Sequence, residues 1–165
     1  MKCRFAVATV AFFFSVVAHA QVPHIIGTWK LNVGASQFVG PPPQSEVRKY
    51  SLADNGYLVG LAISVDAQGN PGFLQIATKS DGRDYAEYSS NVLAAFQMAG
   101  TPTPLAYSET IVDGHTVQWF DKFAGRVTLS GTKRVSDDGR TLTIEAEVPD
   151  RQGATHHLRL VYDKQ

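Results

Sequence analysis

Alternation between apolar and polar residues is the strongest pattern along most of this chain. The stretch 141–148 reads Thr-Leu-Thr-Ile-Glu-Ala-Glu-Val, so every second residue is apolar. A period of two predicts a strand with one face in a core and the other in water. The same reasoning predicts further strands over 25–31, 46–52, 57–65, 73–79, 105–112, 116–123, 126–135 and 155–163.

Short turns separate the predicted strands. Asn55-Gly56 is the clearest signal, because both residues readily adopt the positive φ angles that tight hairpins need. Turn signals recur about every eight to twelve residues, as is typical of sandwiches and barrels. They follow at 66–70, 80–83, 113–114, 124–125, 136–139 and 150–153.

The strand after the Asn-Gly turn has two faces of different bulk. Tyr57, Val59, Leu61, Ile63 and Val65 are the larger apolar residues, and smaller side chains dominate the alternate positions. We therefore expect the larger set to face the core.

About nine strands with short links favour a single all-β domain. An open antiparallel sheet of this size would expose apolar edges, and closure removes them. We predict an antiparallel up-and-down β-barrel of about 8–10 strands. The alternative is a two-sheet sandwich with Greek-key links, which needs longer crossings than the sequence offers. One short helical segment is predicted near 91–99, between the capping residue Asn91 and the terminating Gly100.

The N-terminus has the pattern of a signal peptide. Lys2 and Arg4 precede an apolar run, and Ala18-His19-Ala20 has the small-x-small form of a cleavage site. We predict a signal peptide over 1–20 and a barrel domain over 21–165, exported to the periplasm or the extracellular space. The only cysteine, Cys3, lies in the signal, so the mature chain can form neither a disulfide nor a thiolate metal site.

Charge excludes some partners. The 15 Lys and Arg residues balance the 15 Asp and Glu residues, and no basic stripe favours nucleic acid. No second long apolar stretch follows the signal, so no membrane span is expected after cleavage.

Several short motifs carry a family resemblance. Gly27-Thr28-Trp29 opens the first strand, Asp-Gly-Arg-Asp-Tyr occupies 81–85, and Asp-Asp-Gly-Arg-Thr-Leu-Thr occupies 137–143. Together they resemble a lipocalin-like, calycin-type family of small exported bacterial proteins. The resemblance implies a barrel whose base is formed by Gly27 and sealed by Trp29, with a basic side chain over the indole. Arg159 is the first candidate for that side chain and Lys164 the second.

Catalytic and metal chemistry finds little support. No His-Glu-x-x-His or Gly-x-Ser-x-Gly motif occurs, and the adjacent His156 and His157 would point to opposite faces of a strand. We expect no bound metal and no cofactor. A haem-binding barrel would have to use His156 or His115.

Aromatic residues provide the candidate ligand site. A ring-lined cavity with a few polar groups is the usual site for a small molecule, and the irregular segment after residue 90 could cover it. The candidate pocket residues are Tyr57, Phe73, Tyr85, Tyr88, Phe96, Met98 and Trp119.

Three functions remain open. The first is a non-catalytic binding protein for a small hydrophobic or amphipathic ligand. The second is an interaction protein, such as an enzyme inhibitor, with a filled barrel. The third is a barrel cyclase or isomerase, which needs an inward polar group such as Tyr85, Glu109 or His156.

Overall fold

Ten antiparallel strands form one closed ring. The computed structural model describes residues 24–89, 103–150 and 152–165. Each strand pairs with the next one in the chain, and β1 pairs with β10 through Trp29 and Lys164 to close the barrel. The strands are β1 Gly27–Leu31, β2 Ser45–Leu52, β3 Leu58–Val65, β4 Pro71–Thr78, β5 Tyr85–Ser89, β6 Leu105–Ile111, β7 Thr116–Phe123, β8 Arg126–Val135, β9 Thr141–Pro149 and β10 Thr155–Lys164. A 3-10 turn, Val33–Ala35, follows β1. The predicted up-and-down barrel is confirmed, and the sandwich alternative is excluded.

One strand, β5, escaped the sequence prediction. It has five residues, and its inward positions hold Tyr85, Glu87 and Ser89. A short strand with polar inward residues carries no apolar alternation, so periodicity cannot detect it. The predicted helix near 91–99 lies outside the described residues.

The predicted inward face of β3 is wrong. Leu58 and Gly60 are buried, whereas Ile63 is 57% exposed. The neighbouring strands supply the bulk, because Tyr50 and Ile76 lie opposite Gly60 and fill the space above it. A Cβ atom at Gly60 would lie 2.9 Å from both side chains. After Leu58, the inward side of β3 therefore carries the small residues Gly60 and Ala62, and the larger residues of the strand lie outside.

Both described ends of the chain meet at one end of the barrel. The His24 amide donates to the Gly114 carbonyl in the β6–β7 turn, and the Lys164 amide donates to the Arg140 carbonyl in the β8–β9 turn. Ile25 is 2% exposed in this position. We call this the closed end, and the opposite end, where the β3–β4 and β7–β8 turns lie, the open end.

Trp29 fills the barrel near the closed end. The indole is fully buried, and its Nε1 donates to the Ile25 carbonyl at 2.7 Å. Lys164 Nζ lies 5.2 Å from the centre of the indole. Gly27 has a φ of +143°, and a Cβ atom there would lie 3.1 Å from Lys164 Cε. The glycine therefore gives the lysine side chain room to cross the indole.

Lys164 takes the place for which Arg159 was the first candidate. Arg159 lies on the outer surface, where its Nε is 3.5 Å from Glu145 Oε1 and its guanidinium donates to the Ala35 carbonyl. Buried Tyr162 belongs to the even-numbered, inward set of β10, so Arg159 has the parity of the outer face. Among the described residues, no helix is both long and apolar enough to cross a membrane.

Candidate functional site

The barrel encloses a cavity of about 190 Å³. Most of its wall comes from apolar residues on β3, β4, β8, β9 and β10, and the residues at inward positions meet because alternate side chains of neighbouring strands point into the ring. The inward residues of this lining are Gly60, Ala62, Leu74, Ile76, Leu129, Ile144, Leu158 and Leu160, and Leu61 of the outward set of β3 also borders the cavity.

Polar and aromatic side chains complete the wall. They come from β2 and from the neighbouring strands β6, β7 and β8, so polar and aromatic groups lie at two places on the wall with aliphatic residues between them. These residues are Arg48, Tyr50, Tyr107, Trp119, Asp121 and Lys133. Ionisable groups are rarely buried in a barrel without a partner, and most of these belong to short networks.

The first network joins Lys133 to Glu109, and both side chains are almost completely buried. Lys133 Nζ lies 3.4 Å from Glu109 Oε2 and donates to the Tyr107 hydroxyl, which itself donates to the same carboxylate oxygen at 2.5 Å. The Ser80 hydroxyl donates to the other oxygen at 2.6 Å. Burial, followed by the charge of Glu109, raises the pKa of Tyr107. Both Glu109 oxygens thus have a partner, as a buried carboxylate requires.

The Lys133 ammonium also lies over two aromatic rings. Its Nζ is 4.7 Å from the ring centre of Tyr107 and 5.3 Å from that of Tyr50. Ring faces carry partial negative charge and attract cations at such distances. The aromatic side of the cavity therefore already accommodates one ammonium group.

The second network lies nearer the open end. Arg48 Nε is 2.5 Å from Glu46 Oε1, and the Tyr162 hydroxyl donates to the same oxygen at 2.7 Å. The Arg48 guanidinium is 5.3 Å from the Tyr162 ring centre. Burial alone would raise the pKa of Glu46, but the charge and hydrogen bond of Arg48 and the hydrogen bond from Tyr162 together outweigh it and lower that pKa. Glu46 and Arg48 therefore form a charged pair.

Glu87 and Asp121 form a pair of neighbouring carboxyl groups. Burial, reinforced by the charge of Asp121, raises the pKa of Glu87 to about 8, although Lys133 opposes the shift. Burial also raises the pKa of Asp121, against the effects of Glu87, Lys133 and Arg48. At neutral pH Glu87 therefore keeps its proton, and Asp121 is the charged member of the pair. Glu87 Oε2 is buried and has no hydrogen-bond partner among the described residues.

Trp119 presents an indole to the cavity because the opposite strand has a glycine. A Cβ atom at Gly131 would lie 2.9 Å from Trp119 Cζ2 and 1.9 Å from the Glu145 carbonyl oxygen. Trp119 is 6% exposed, and its Nε1 has no hydrogen-bond partner within the described part of the chain. The wall thus includes one buried donor that is free to bind an acceptor.

A wider depression of about 610 Å³ lies at the open end, next to the cavity. Arg48, Ala62 and Leu74 line both spaces, and Glu87 lines the depression. Its rim is mostly polar. The other lining residues are Glu46, Ser64, Asp66, Asn70, Pro71, Gly72, Phe73 and Ser89. A molecule with one end in the cavity could therefore extend towards solvent along a polar rim.

The structure separates the aromatic residues predicted to form one pocket. Trp119 lines the cavity and Phe73 lines the depression. Tyr57 and Tyr85 lie at the closed end with their ring centres 5.8 Å apart, and the Tyr85 hydroxyl donates to Asp81. Tyr88 is 39% exposed. Phe96 and Met98 lie outside the described residues.

Sequence reasoning missed Arg48, Asp121 and Lys133 in the cavity wall and Glu87 in the depression. One signal was available, because Lys133 shares its strand face with Leu129 and Val135. A lysine on the inward face of a predicted strand indicates either a buried partner or a site.

The three polar candidates for enzyme chemistry lie in different places. Glu109 is 1% exposed and faces inward. Tyr85 lies at the closed end, and His156 is exposed beside the β9–β10 turn at the open end, with its Nε2 3.0 Å from Asp150. His115 stacks on His24 with ring centres 4.4 Å apart, so neither haem candidate lines the cavity. The described residues contain no group of three or more metal-ligating side chains.

Comparisons with known proteins agree with the barrel. No protein-family model matches the sequence, and no curated protein matches it either. Two solved structures of mutants of the fluorescent protein UnaG are similar to this chain. One is 13% identical with a TM-score of 0.52, covering 84% of this chain and 94% of the other. The second is 12% identical with a TM-score of 0.53, covering 86% and 96%. At this identity the likeness concerns the fold alone, a closed antiparallel β-barrel.

Proposed function

We propose that this protein is an exported, non-catalytic binding protein for a small amphipathic molecule. The ligand's apolar part would lie against the aliphatic wall, and its polar part would meet Arg48, Asp121 or Trp119. The observation that carries the proposal is an unfilled space inside a closed barrel, with a mostly aliphatic wall that also carries a few polar groups. Ligand sites in proteins usually combine such walls.

Buried ion pairs and an unfilled space in the barrel interior do not favour the stability of the folded protein. Burying an ion pair such as Lys133–Glu109 is often no better than filling the same volume with apolar side chains. An unfilled space also forgoes dispersion contacts with its lining atoms. Both costs fit a site that gains binding energy from a ligand.

Size limits the ligand. Sites for drug-sized molecules commonly measure about 300–1,000 Å³, and the cavity inside the barrel measures about 190 Å³. A molecule larger than that would extend past Leu74, which lines both spaces, into the depression. This arrangement favours an amphipathic ligand with a compact inner end.

Export rests on the N-terminal residues alone. A short positive segment, an apolar run and Ala18-His19-Ala20 support cleavage near residue 20 and a final location in the periplasm or outside the cell. The motif Gly27-Thr28-Trp29 further supports membership of the lipocalin-like family of exported bacterial proteins.

Native mass spectrometry of protein purified from its own host tests the binding proposal. We expect a co-purified small molecule in the wild-type protein. Leu74→Trp should remove it, because Leu74 lines both the cavity and the depression. Gln75→Trp places the same bulk on the exposed side of the same strand and should retain it. Absence of bound mass, together with no thermal shift across a panel of amphiphiles, would refute the proposal.

A second candidate function follows from the carboxyl pair. A carboxyl group that stays protonated near neutral pH, beside an ionised one, is an arrangement that supplies general acid and general base catalysis. The raised pKa of Glu87 therefore favours a cyclase or isomerase over the filled-barrel interaction protein. The test is whether the co-purified molecule changes mass or isomeric form in wild-type protein but not in Glu87→Gln.

A further inference from the structure

The charged groups inside the barrel do not balance. Arg48 and Lys133 are the cations of the cavity wall, and each contacts a carboxylate of its own, Glu46 at 2.5 Å and Glu109 at 3.4 Å. Asp121 has no ion pair with a cation among the described residues, although Lys133 and Arg48 act on it from a greater distance. With Glu87 protonated, two positive charges therefore face three negative ones.

This imbalance disfavours an anionic ligand. A carboxylate entering the cavity would bring a second unmatched negative charge into a region of low dielectric constant, where repulsion is strong. Both cations that could attract it are already committed to other carboxylates. An ammonium group, by contrast, would neutralise the unmatched charge.

The aromatic wall fits the same chemistry. Tyr50, Tyr107 and Trp119 all line the cavity, and Lys133 already lies over the two tyrosine rings. Aromatic rings next to a carboxylate form the usual recognition site for organic cations. The Trp119 indole is the ring that has no cation assigned to it among the described residues.

The position of the carboxyl pair also favours a cationic ligand group. Asp121 lines the cavity and Glu87 lines the depression, so the pair lies where the two spaces adjoin. Glu87 is only 6% exposed, and its Oε2 has no hydrogen-bond partner in the described part of the chain. An acceptor left free at this place is available to an N–H donor from a ligand.

We propose that the ligand is an amphipathic amine whose ammonium group binds between Asp121 and Glu87 and whose apolar part lies against the aliphatic wall. This inference rests on the proposed binding function and narrows it to one ligand class. It also separates this barrel from carriers of fatty acids, whose head groups carry the opposite charge.

Isothermal titration calorimetry at neutral pH with three probes of equal length tests the assignment. The probes are n-octylammonium, octanoate and the neutral octanol. We expect octylammonium to bind at least about tenfold more tightly than octanoate, a difference of about 1.4 kcal/mol. Asp121→Asn should remove that preference and leave the affinity for octanol within about twofold.

Two further variants keep the test decisive. Glu87→Gln retains the shape of the site and serves if Asp121→Asn fails to fold. It should also weaken octylammonium binding, because the amide cannot ionise when the cation arrives. Glu145→Gln removes a carboxylate from the outer surface, where Glu145 is 45% exposed, and should change no affinity.

The outcomes separate this inference from the proposed function. Octanol binding with octanoate equal to or tighter than octylammonium would overturn the amine assignment alone. A co-purified molecule without a basic nitrogen would do the same. Failure of all three probes to bind, with no co-purified molecule in native mass spectrometry, would overturn both proposals.

Discussion

Glu87→Gln is the substitution whose effect on stability follows most directly from the structure. The pKa of Glu87 rises from an ordinary value of 4.5 to about 8, chiefly because the carboxyl is buried. Between these values the folded protein holds a proton that the unfolded chain has lost. The contribution to stability is therefore fully present below pH 4.5 and disappears as the pH rises through 8. Glutamine has the same shape but nothing to titrate, so it should remove this dependence.

The size of the effect can be estimated from the two pKa values. Where the folded state holds one extra proton, stability changes by about 1.4 kcal/mol per pH unit. Between pH 6 and pH 9 the loss attributable to Glu87 is then about 3 kcal/mol, because the slope flattens above pH 8. The charged groups that act on Glu87 are Asp121 on β7 and Lys133 on β8. Both remain in the variant, and because Asp121 titrates together with Glu87, the difference between the two proteins reports the titration of this carboxyl pair.

Urea unfolding between pH 5 and pH 9, followed by tryptophan fluorescence, measures the difference. Wild-type stability should fall across pH 6 to 9 by about 3 kcal/mol more than that of Glu87→Gln. The variant should be the more stable protein at pH 9. Glu145→Gln, on the outer surface, should follow the wild-type curve. Parallel curves for wild type and Glu87→Gln would show that Glu87 ionises normally and that the reasoning from burial is wrong.

Three further substitutions test the packing, each by the free energy of unfolding in urea. Trp29→Ala should cost about 3–5 kcal/mol, because the indole is fully buried, and a cost below about 1 kcal/mol would contradict its role at the closed end. Lys133→Met should cost about 3–5 kcal/mol by leaving Glu109 buried without its cation, and adding Glu109→Gln should recover most of the loss. Gly131→Ala should cost more than about 2 kcal/mol, because its Cβ would lie 1.9 Å from a backbone oxygen. The control Gly34→Ala, whose Cβ would lie 3.8 Å from the nearest atom, should cost under about 0.5 kcal/mol. Equal costs for the two substitutions would refute the argument.

The barrel was predictable because its determinants are local. Alternation puts buried Leu142, Ile144 and Ala146 on one face of β9, as the sequence pattern indicates. Gly56 and Gly139 adopt positive φ in the hairpin turns where glycine was expected. Such features depend on neighbours a few residues apart, and short turns then leave antiparallel pairing as the simplest topology.

The polar interior was not predictable from local patterns, because its partners meet only through strand register. Ser80 and Glu109 are 29 positions apart, and Lys133 lies another 24 positions along the chain. The choice between Arg159 and Lys164 as the cation over Trp29 depended on parity. Lys164 shares the parity of the inward Tyr162, whereas Arg159 does not. Periodicity could have made that distinction once β10 was assigned.

Stability and binding depend on the same carboxyl pair, Glu87 and Asp121, and this gives a relation between the two measurements. An ammonium group between Asp121 and Glu87 favours the ionised form of Glu87, so its binding should release a proton near neutral pH. By linkage, the stabilisation that a fixed concentration of octylammonium gives should grow as the pH rises towards 9, while alkylammonium ions remain charged. An anionic amphiphile should show the opposite trend, because ionisation of Glu87 adds repulsion. A barrel whose interior bound amphiphiles only through its aliphatic wall would show neither trend, so the sign of the pH dependence identifies the charge of the group that the site is built to bind.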